Sequence, residues 1–208
     1  YPVIFLSFKD VKFNTWEETF SAIKELLSKE TSRHTELIDN KQLAAADQKR
    51  IENLVSGNSS AVDLSGALAD LSRMLHEYHG IAPIIIIDEY DTPIQQGHVK
   101  GFYDEVIGFM RNLFSGGLKD NKHLTYGFLT GILRIAKESI FSDLNNLTIN
   151  SIIDGKYSEY FGFTAEEVKE MAQYYKAEDK YEEICSWYDG YKFGNTEIFN
   201  PWSVINYF

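Results

Sequence analysis

A parallel α/β sheet with helices on both faces, followed by a small helical unit, is the fold class this sequence predicts, and three observations predict it. Strand-like and helix-like apolar patterns alternate along most of the chain, the order that produces parallel strands joined by helical crossovers. Residues Ile84 to Ile87 are four consecutive β-branched apolar side chains without alternation, which suits a central strand covered on both faces. A chain of 208 residues with 44% hydrophobic content buries one sizeable core, so one domain with an appendage is expected rather than two full domains.

The elements follow in order. "YPVIFLSF" opens with a strand-like run from Val3 to Phe8. Asn14, with Glu17 three residues on, reads as a capping box, and Trp16, Phe20, Ile23 and Leu27 then recur on one face of a crossover helix. Thr31 to Ser60 is polar, with short helices expected around Leu43 and Ile51 before a soft "SGNSS" linker. Leu64, Ala67, Leu68, Leu71, Leu75 and Tyr78 form a second amphipathic helix that Gly80 closes. The isoleucine strand comes next, leaving through an Asp91-Thr92-Pro93 turn. Tyr103, Ile107, Met110 and Phe114 then build a helix that Gly116-Gly117 should stop. "LTYGFLTGI", Leu124 to Ile132, reads as a third strand, and Leu147 to Ile152 as a fourth. Thr164 to Glu167 is a capping box for a helix through Val168, Met171, Tyr174 and Tyr175. Asp189-Gly190 reads as a turn, a hairpin if Tyr191 to Phe193 pairs back, and Asn200-Pro201 caps a final helix. The division expected is residues 1–153 as the α/β core and 154–208 as the start of a helical lid. Because the chain opens inside an apolar run and stops inside a helical one, it reads as a fragment of a longer protein.

Charge and cysteine usage exclude several functions. With 31 acidic against 20 basic residues the formal charge is −11, which opposes broad attraction to nucleic acid or anionic lipid. The single Cys185 forms no internal disulfide framework and no multi-cysteine zinc site, and it reads as a small buried hydrophobe. No apolar run reaches the length of a membrane span and no signal peptide is present, so the cytosol is the expected compartment. His76 and His79 lack paired ligand spacing and read as surface residues.

The chemistry is concentrated after the isoleucines, in "IIIIDEYD". In open parallel sheets ligands bind beyond the carboxyl ends of the strands, where Asp88 and Glu89 emerge. A central strand ending in Asp-Glu is the form of a Walker B element in P-loop nucleotide hydrolases. The Asp holds Mg²⁺ and the next acid orients or deprotonates the attacking water. Adjacent strand residues point in opposite directions, so the two carboxylates serve two tasks. Two acids after four isoleucines also suit the polar end of any strand. The third strand moves that balance, because Thr130 and Arg134 emerge at the same sheet edge. A polar residue there senses γ-phosphate in many ATPases and an Arg neutralises charge in phosphoryl transfer. Thr130 equally suits a β-branched strand position, and Arg134 a solvated helix start.

The ordered stretches "YPVIFLSF", "IIIIDEYDTPI", "YGFLTGILRIAKESIFSDLNNL", "YFGFTAEEV", "WYDGYKFG" and "NPWSVINYF" resemble the AAA-ATPase-like proteins of bacteria and archaea, related to the archaeal and signal-transducing ATPases with numerous domains. The resemblance covers nearly the whole chain. It implies a three-layer P-loop fold with a winged-helix-like lid and use of ATP and Mg²⁺. On the matching positions it implies metal binding at Asp88, catalytic roles for Glu89 and Arg134, and nucleotide contacts from Thr130 and Asp91. It also implies that many full-length members carry a C-terminal restriction-endonuclease-like domain, which this chain does not reach.

One departure stands against these matches. The family's phosphate loop, a variant of GxxxxGK[ST], lies upstream of the strand that begins at Tyr1, and "SGGLKDNKH" has neither its spacing nor a preceding strand. The chain by itself is therefore expected to be an inactive part of an ATPase. The strand carrying that loop would sit between the strand ending at Thr130 and Leu147–Ile152, so the isolated chain is expected to self-associate. Two alternatives stay open. One is a Mg²⁺-dependent hydrolase or nuclease built on Asp88, Glu89 and Asp91, with Asp10 as the available further acid. The other is a non-catalytic interaction module with a decayed nucleotide site. The dense aromatics from Tyr157 to Trp202 pack a small lid more readily than they stack bases, because their surroundings are not basic.

Overall fold

The computed structural model describes residues 1–132 and 147–208, with two compact units, Tyr1–Leu147 and Thr148–Phe208. The first holds a three-stranded parallel sheet, β1 (Val3–Ser7), β2 (Ile84–Asp88) and β3 (Tyr126–Leu129), with strands adjacent in sequence order and β2 in the middle. Register is continuous: Val3, Ile84 and Tyr126 lie abreast, then Phe5, Ile86 and Phe128, and Ser7 stands beside Asp88.

Strands that follow one another in sequence order, joined by right-handed crossovers, send successive helices to one face of a sheet. Burial agrees. Ile4, Leu6, Phe8, Ile85 and Ile87 are fully enclosed, whereas Phe5 is 42%, Tyr126 63% and Phe128 53% exposed and Ile84 and Ile86 are half-buried. The isoleucine run thus alternates in burial although its sequence does not.

Four helices lie between β1 and β2. Helix α1 (Trp16–Arg33) is capped by the Thr15 hydroxyl, which accepts from the Glu18 amide at 3.2 Å. The expected cap was one residue earlier, at Asn14. The Asn14 amide instead donates to the Glu18 carboxylate at 3.3 Å, because the extended residue here is Thr15. Ile23 and Leu27 are fully buried, and Trp16 and Phe20 meet the Phe109 ring at centroid distances of 6.1 and 5.3 Å. Short α2 (Thr35–Ile38) and α3 (Ala45–Ser56) follow, then α4 (Ala61–His79), which opens on a Ser60–Asp63 capping box and closes at Gly80. Tyr78, assigned to its apolar face, is 49% exposed.

After β2 the chain enters a helix the sequence reading had passed over as a turn, α5 (Thr92–Lys100), with Pro93 in its first turn where a missing amide costs nothing. Helix α6 (Tyr103–Leu118) then runs through Gly116-Gly117 instead of stopping there. A Cβ on Gly117 would sit 2.7 Å from the Leu68 Cβ, so that glycine lets α6 approach α4, and packing outweighs its low helix propensity. Strand β3 is shorter than Leu124–Ile132, and Leu147–Ile152 forms no strand. The Asp154 carboxylate accepts from the Ser151 amide at 2.6 Å and turns the backbone there.

In the second unit, α7 (Ala165–Tyr174) opens on the expected Thr164–Glu167 capping box, followed by α8 (Tyr181–Tyr188). A hairpin of β4 (Asp189–Phe193) and β5 (Thr196–Phe199) comes next, then α9 (Pro201–Tyr207), which the Asn200 side chain caps. The hairpin exists, but it turns at Gly194-Asn195; Asp189 and Gly190 belong to its first strand, and Asp189 pairs with Phe199. Val168, Ile184, Phe199 and Val204 form a small core of this unit. No helix among the described residues is long and apolar enough to cross a membrane.

Candidate functional site

The carboxyl ends of β1, β2 and β3 bring together Ser7, Asp88, Glu89 and Thr130. The Ser7 hydroxyl donates to Asp88 Oδ2 at 2.9 Å and the Thr130 hydroxyl donates to Asp88 Oδ1 at 2.6 Å, so the carboxylate is held from both neighbouring strands. These two bonds, Thr130's the larger influence, hold the Asp88 pKa below the usual carboxylate value. Asp88 is therefore an anion at neutral pH with lone pairs left over.

Glu89 has a left-handed backbone, φ 49°, which a residue with a Cβ rarely adopts. The following turn sustains it: the Thr92 amide donates to the Glu89 carbonyl at 3.1 Å and the Thr92 hydroxyl to Glu89 Oε2 at 3.2 Å. A left-handed residue directly after the strand sends the Glu89 and Asp88 side chains to different partners, Thr92 for the first and Ser7 with Thr130 for the second.

Asp91 differs from the other acids. It is 1% exposed, and Oδ2 accepts from the Gln95 side chain at 2.6 Å and from the Ile132 amide at 3.1 Å. Its carboxylate thus ties the loop after β3 to the start of α5. The Tyr90 amide, donating to the Thr130 carbonyl at 3.1 Å, makes a second tie. Gly131 permits both, since a Cβ there would lie 2.6 Å from Asp91 Oδ1 and 2.8 Å from the Tyr90 ring. Arg134 lies outside the described residues.

Among the described residues no three His, Cys, Asp or Glu side chains converge as a metal cage, and Asp10 is exposed in the turn after β1. Among the described residues the acids take separate partners: Asp88 faces hydroxyls, Glu89 faces Thr92, and Asp91 faces inward. One carboxylate flanked by hydroxyls is instead a sparse, hard oxygen set, of the kind that suits Mg²⁺ retaining most of its waters. His76 and His79 also separate, to His123 at 3.0 Å and Glu36 at 3.3 Å respectively. An open groove of about 620 Å³, lined by Glu36, Asp39, Lys41 and Tyr78 among others, includes no strand-end residue. The charged and hydroxyl groups of the sheet converge at the strand ends, apart from that groove.

Reading the sequence missed Ser7 and Gln95. Ser7 was detectable in principle, as the polar residue that ends an apolar strand and, counted in parallel register, faces Asp88. Gln95 had no such signal, because the helix that presents it was not recognised.

Comparison with known proteins gives two matches. Residues 1–141 match the profile of a family described as predicted AAA-ATPase. An uncharacterized protein from the vnfD 5' region of Azotobacter chroococcum mcd 1 is 29% identical over 165 residues, a match covering 75% of this chain and 32% of that relative. This chain thus corresponds to about a third of the relative's length. No solved structure matches it.

Proposed function

Because this chain belongs to the AAA-ATPase-like family, we propose that it supplies the cation-binding and hydrolytic strand ends of an ATP-binding and ATP-hydrolysing protein. The observation that carries this reading is Asp88, at the end of the middle strand, with its two carboxylate oxygens held by hydroxyls from both neighbours. In this reading Asp88 and Glu89 are the Walker B pair, Thr130 is the sensor residue on the adjacent strand, and the sheet belongs to a three-layer P-loop architecture. Residues 154–208 are the start of the lid.

The roles divide by chemistry. Asp88 would hold Mg²⁺, and the cation, when bound, would supply neutralisation of phosphate charge. Glu89 leaves its Thr92 hydrogen bond to orient and deprotonate the attacking water. Thr130, donating to Asp88, keeps lone pairs with which to report a ligand at the strand ends. Asp91, buried and tied to Gln95 and Ile132, keeps Thr130 at its distance from Asp88 and acts on the nucleotide through that loop. Arg134 would balance charge on the transferring phosphoryl group.

The test uses the natural full-length protein. Glu89→Gln should retain nucleotide binding and slow hydrolysis by about 10²-fold or more, while Asp88→Ala should weaken Mg²⁺-dependent binding. Equal hydrolysis by wild type and Glu89→Gln removes Glu89 from the chemistry. The alternative reading is a non-catalytic interaction module. Failure of the full-length protein to bind any ATP analogue would select it.

A further inference from the structure

We propose that Ser7 is a positioning residue for the cation at Asp88, its hydroxyl fixing the plane of the Asp88 carboxylate before the cation arrives. The inference rests on the ATPase reading of Asp88 and adds a residue from the first strand to that site.

Four observations carry it. Ser7 is the register partner of Asp88 in the parallel ladder, so the two side chains leave the sheet on the same face. Its hydroxyl donates to Oδ2 at 2.9 Å, while the Thr130 hydroxyl donates to the other oxygen, Oδ1, at 2.6 Å. The four strand residues before it, Val3 to Leu6, are all apolar, and serine is a poorer strand former than the β-branched residues that would otherwise suit the place. Asp88 itself is only partly enclosed, so surrounding packing does not hold its carboxylate.

Two bonds to opposite oxygens, from strands on opposite sides, do what one cannot. A carboxylate held by one hydrogen bond can still tilt and twist about that bond through small changes of its two side-chain torsions, which shifts the second oxygen. With Ser7 on Oδ2 both ends are pinned, and each oxygen keeps lone pairs at a defined angle for a cation or its waters. Part of the ordering entropy of metal binding is then met during folding, when the strands pair. The contribution is to cation affinity.

The experiment compares Ser7→Val, Ser7→Thr, Ser7→Ala and Asp88→Ala in the natural full-length protein, with Mn²⁺ as the probe. Free Mn²⁺ is counted by electron paramagnetic resonance in the presence of a non-hydrolysable ATP analogue, and thermal melts confirm that each variant is folded. Valine and threonine have the same shape and both favour strands, so the pair differs only in the hydroxyl. Expected are Mn²⁺ binding about three- to tenfold weaker in Ser7→Val and Ser7→Ala and wild-type binding in Ser7→Thr. Wild-type Mn²⁺ affinity in Ser7→Val and Ser7→Ala, with binding lost in Asp88→Ala, would overturn the role of Ser7 and leave the reading of Asp88 standing. Equal loss in Ser7→Thr and Ser7→Val would trace the effect to strand shape and overturn it likewise. Undiminished Mn²⁺ binding by Asp88→Ala would overturn the reading of Asp88, and this inference with it.

Discussion

At the scale of single residues, Glu89 is the position where local preference and the site disagree most. Its φ of 49° is disfavoured by its own Cβ, by about 1–2 kcal/mol for an ordinary residue, and glycine escapes that penalty. Glu89→Gly is therefore expected to be about 1 kcal/mol more stable than Glu89→Ala, the reverse of their order inside regular structure, because both lack the side chain and only alanine keeps the strain. Chemical denaturation of the two variants measures the difference, and an alanine variant as stable as the glycine one would show that the backbone is relaxed. A second residue governs pH dependence. Burial works against a charged His34, but its ring nitrogens face Glu30 and Glu36 oxygens at 3.3 Å each, and these partners hold its pKa above the usual value. Both nitrogens donate only in the imidazolium. A raised folded-state pKa means that the stabilisation is fully present below the unfolded value of about 6.5 and lost as pH rises through the folded one. Urea denaturation between about pH 6 and about pH 9 should show that loss in the wild type and a flatter profile in His34→Gln. Equal slopes would remove His34 from the linkage.

At the scale of elements, α6 contains two glycines with opposite meanings. Gly108 has nothing within 4 Å of the Cβ it lacks, so Gly108→Ala should stabilise by up to about 1 kcal/mol through helix propensity. Gly117→Ala would press a methyl group to 2.7 Å from the Leu68 Cβ and push α6 off α4, so it should destabilise by about 1–3 kcal/mol despite the same propensity gain. Equilibrium unfolding of both variants decides it, and a stabilising Gly117→Ala would mean that the two helices yield easily. This contact is also why α6 outran the expectation that Gly116-Gly117 would end it. A glycine that breaks a helix and one that admits a neighbour look alike in a sequence. Helices α1, α4 and α7 were legible because their apolar periodicity and capping residues lie within a few positions of each other. The turn assigned to Asp91–Pro93 became the start of α5 because Pro93 in a first turn and a proline-containing loop share one local signature.

At the scale of the whole molecule, the two edges of the sheet are treated differently. On the β1 side, the Phe5 amide donates to the buried Glu30 carboxylate at 2.9 Å, which blocks further pairing there. On the β3 side, Tyr126 and Phe128 are exposed and no comparable carboxylate meets the strand among the described residues. Residues 1–208 produced alone are therefore expected to self-associate through these exposed rings, and Phe128→Lys to reduce it, as read by sedimentation velocity; a monodisperse wild-type chain would show that the exposed rings are inert. That an acid pair stands at the end of a parallel strand was readable locally, because four isoleucines followed by Asp-Glu are contiguous and chain connectivity alone carries the carboxylates to the strand end. Which groups meet them was not. Ser7 and Thr130 lie 81 and 42 residues from Asp88, and Asp91 turns inward to an amide 41 residues away. Such pairings depend on strand register and helix approach, which are set by packing summed over the whole core, including the closeness of Leu68 to Gly117, and no local stretch of sequence records that sum.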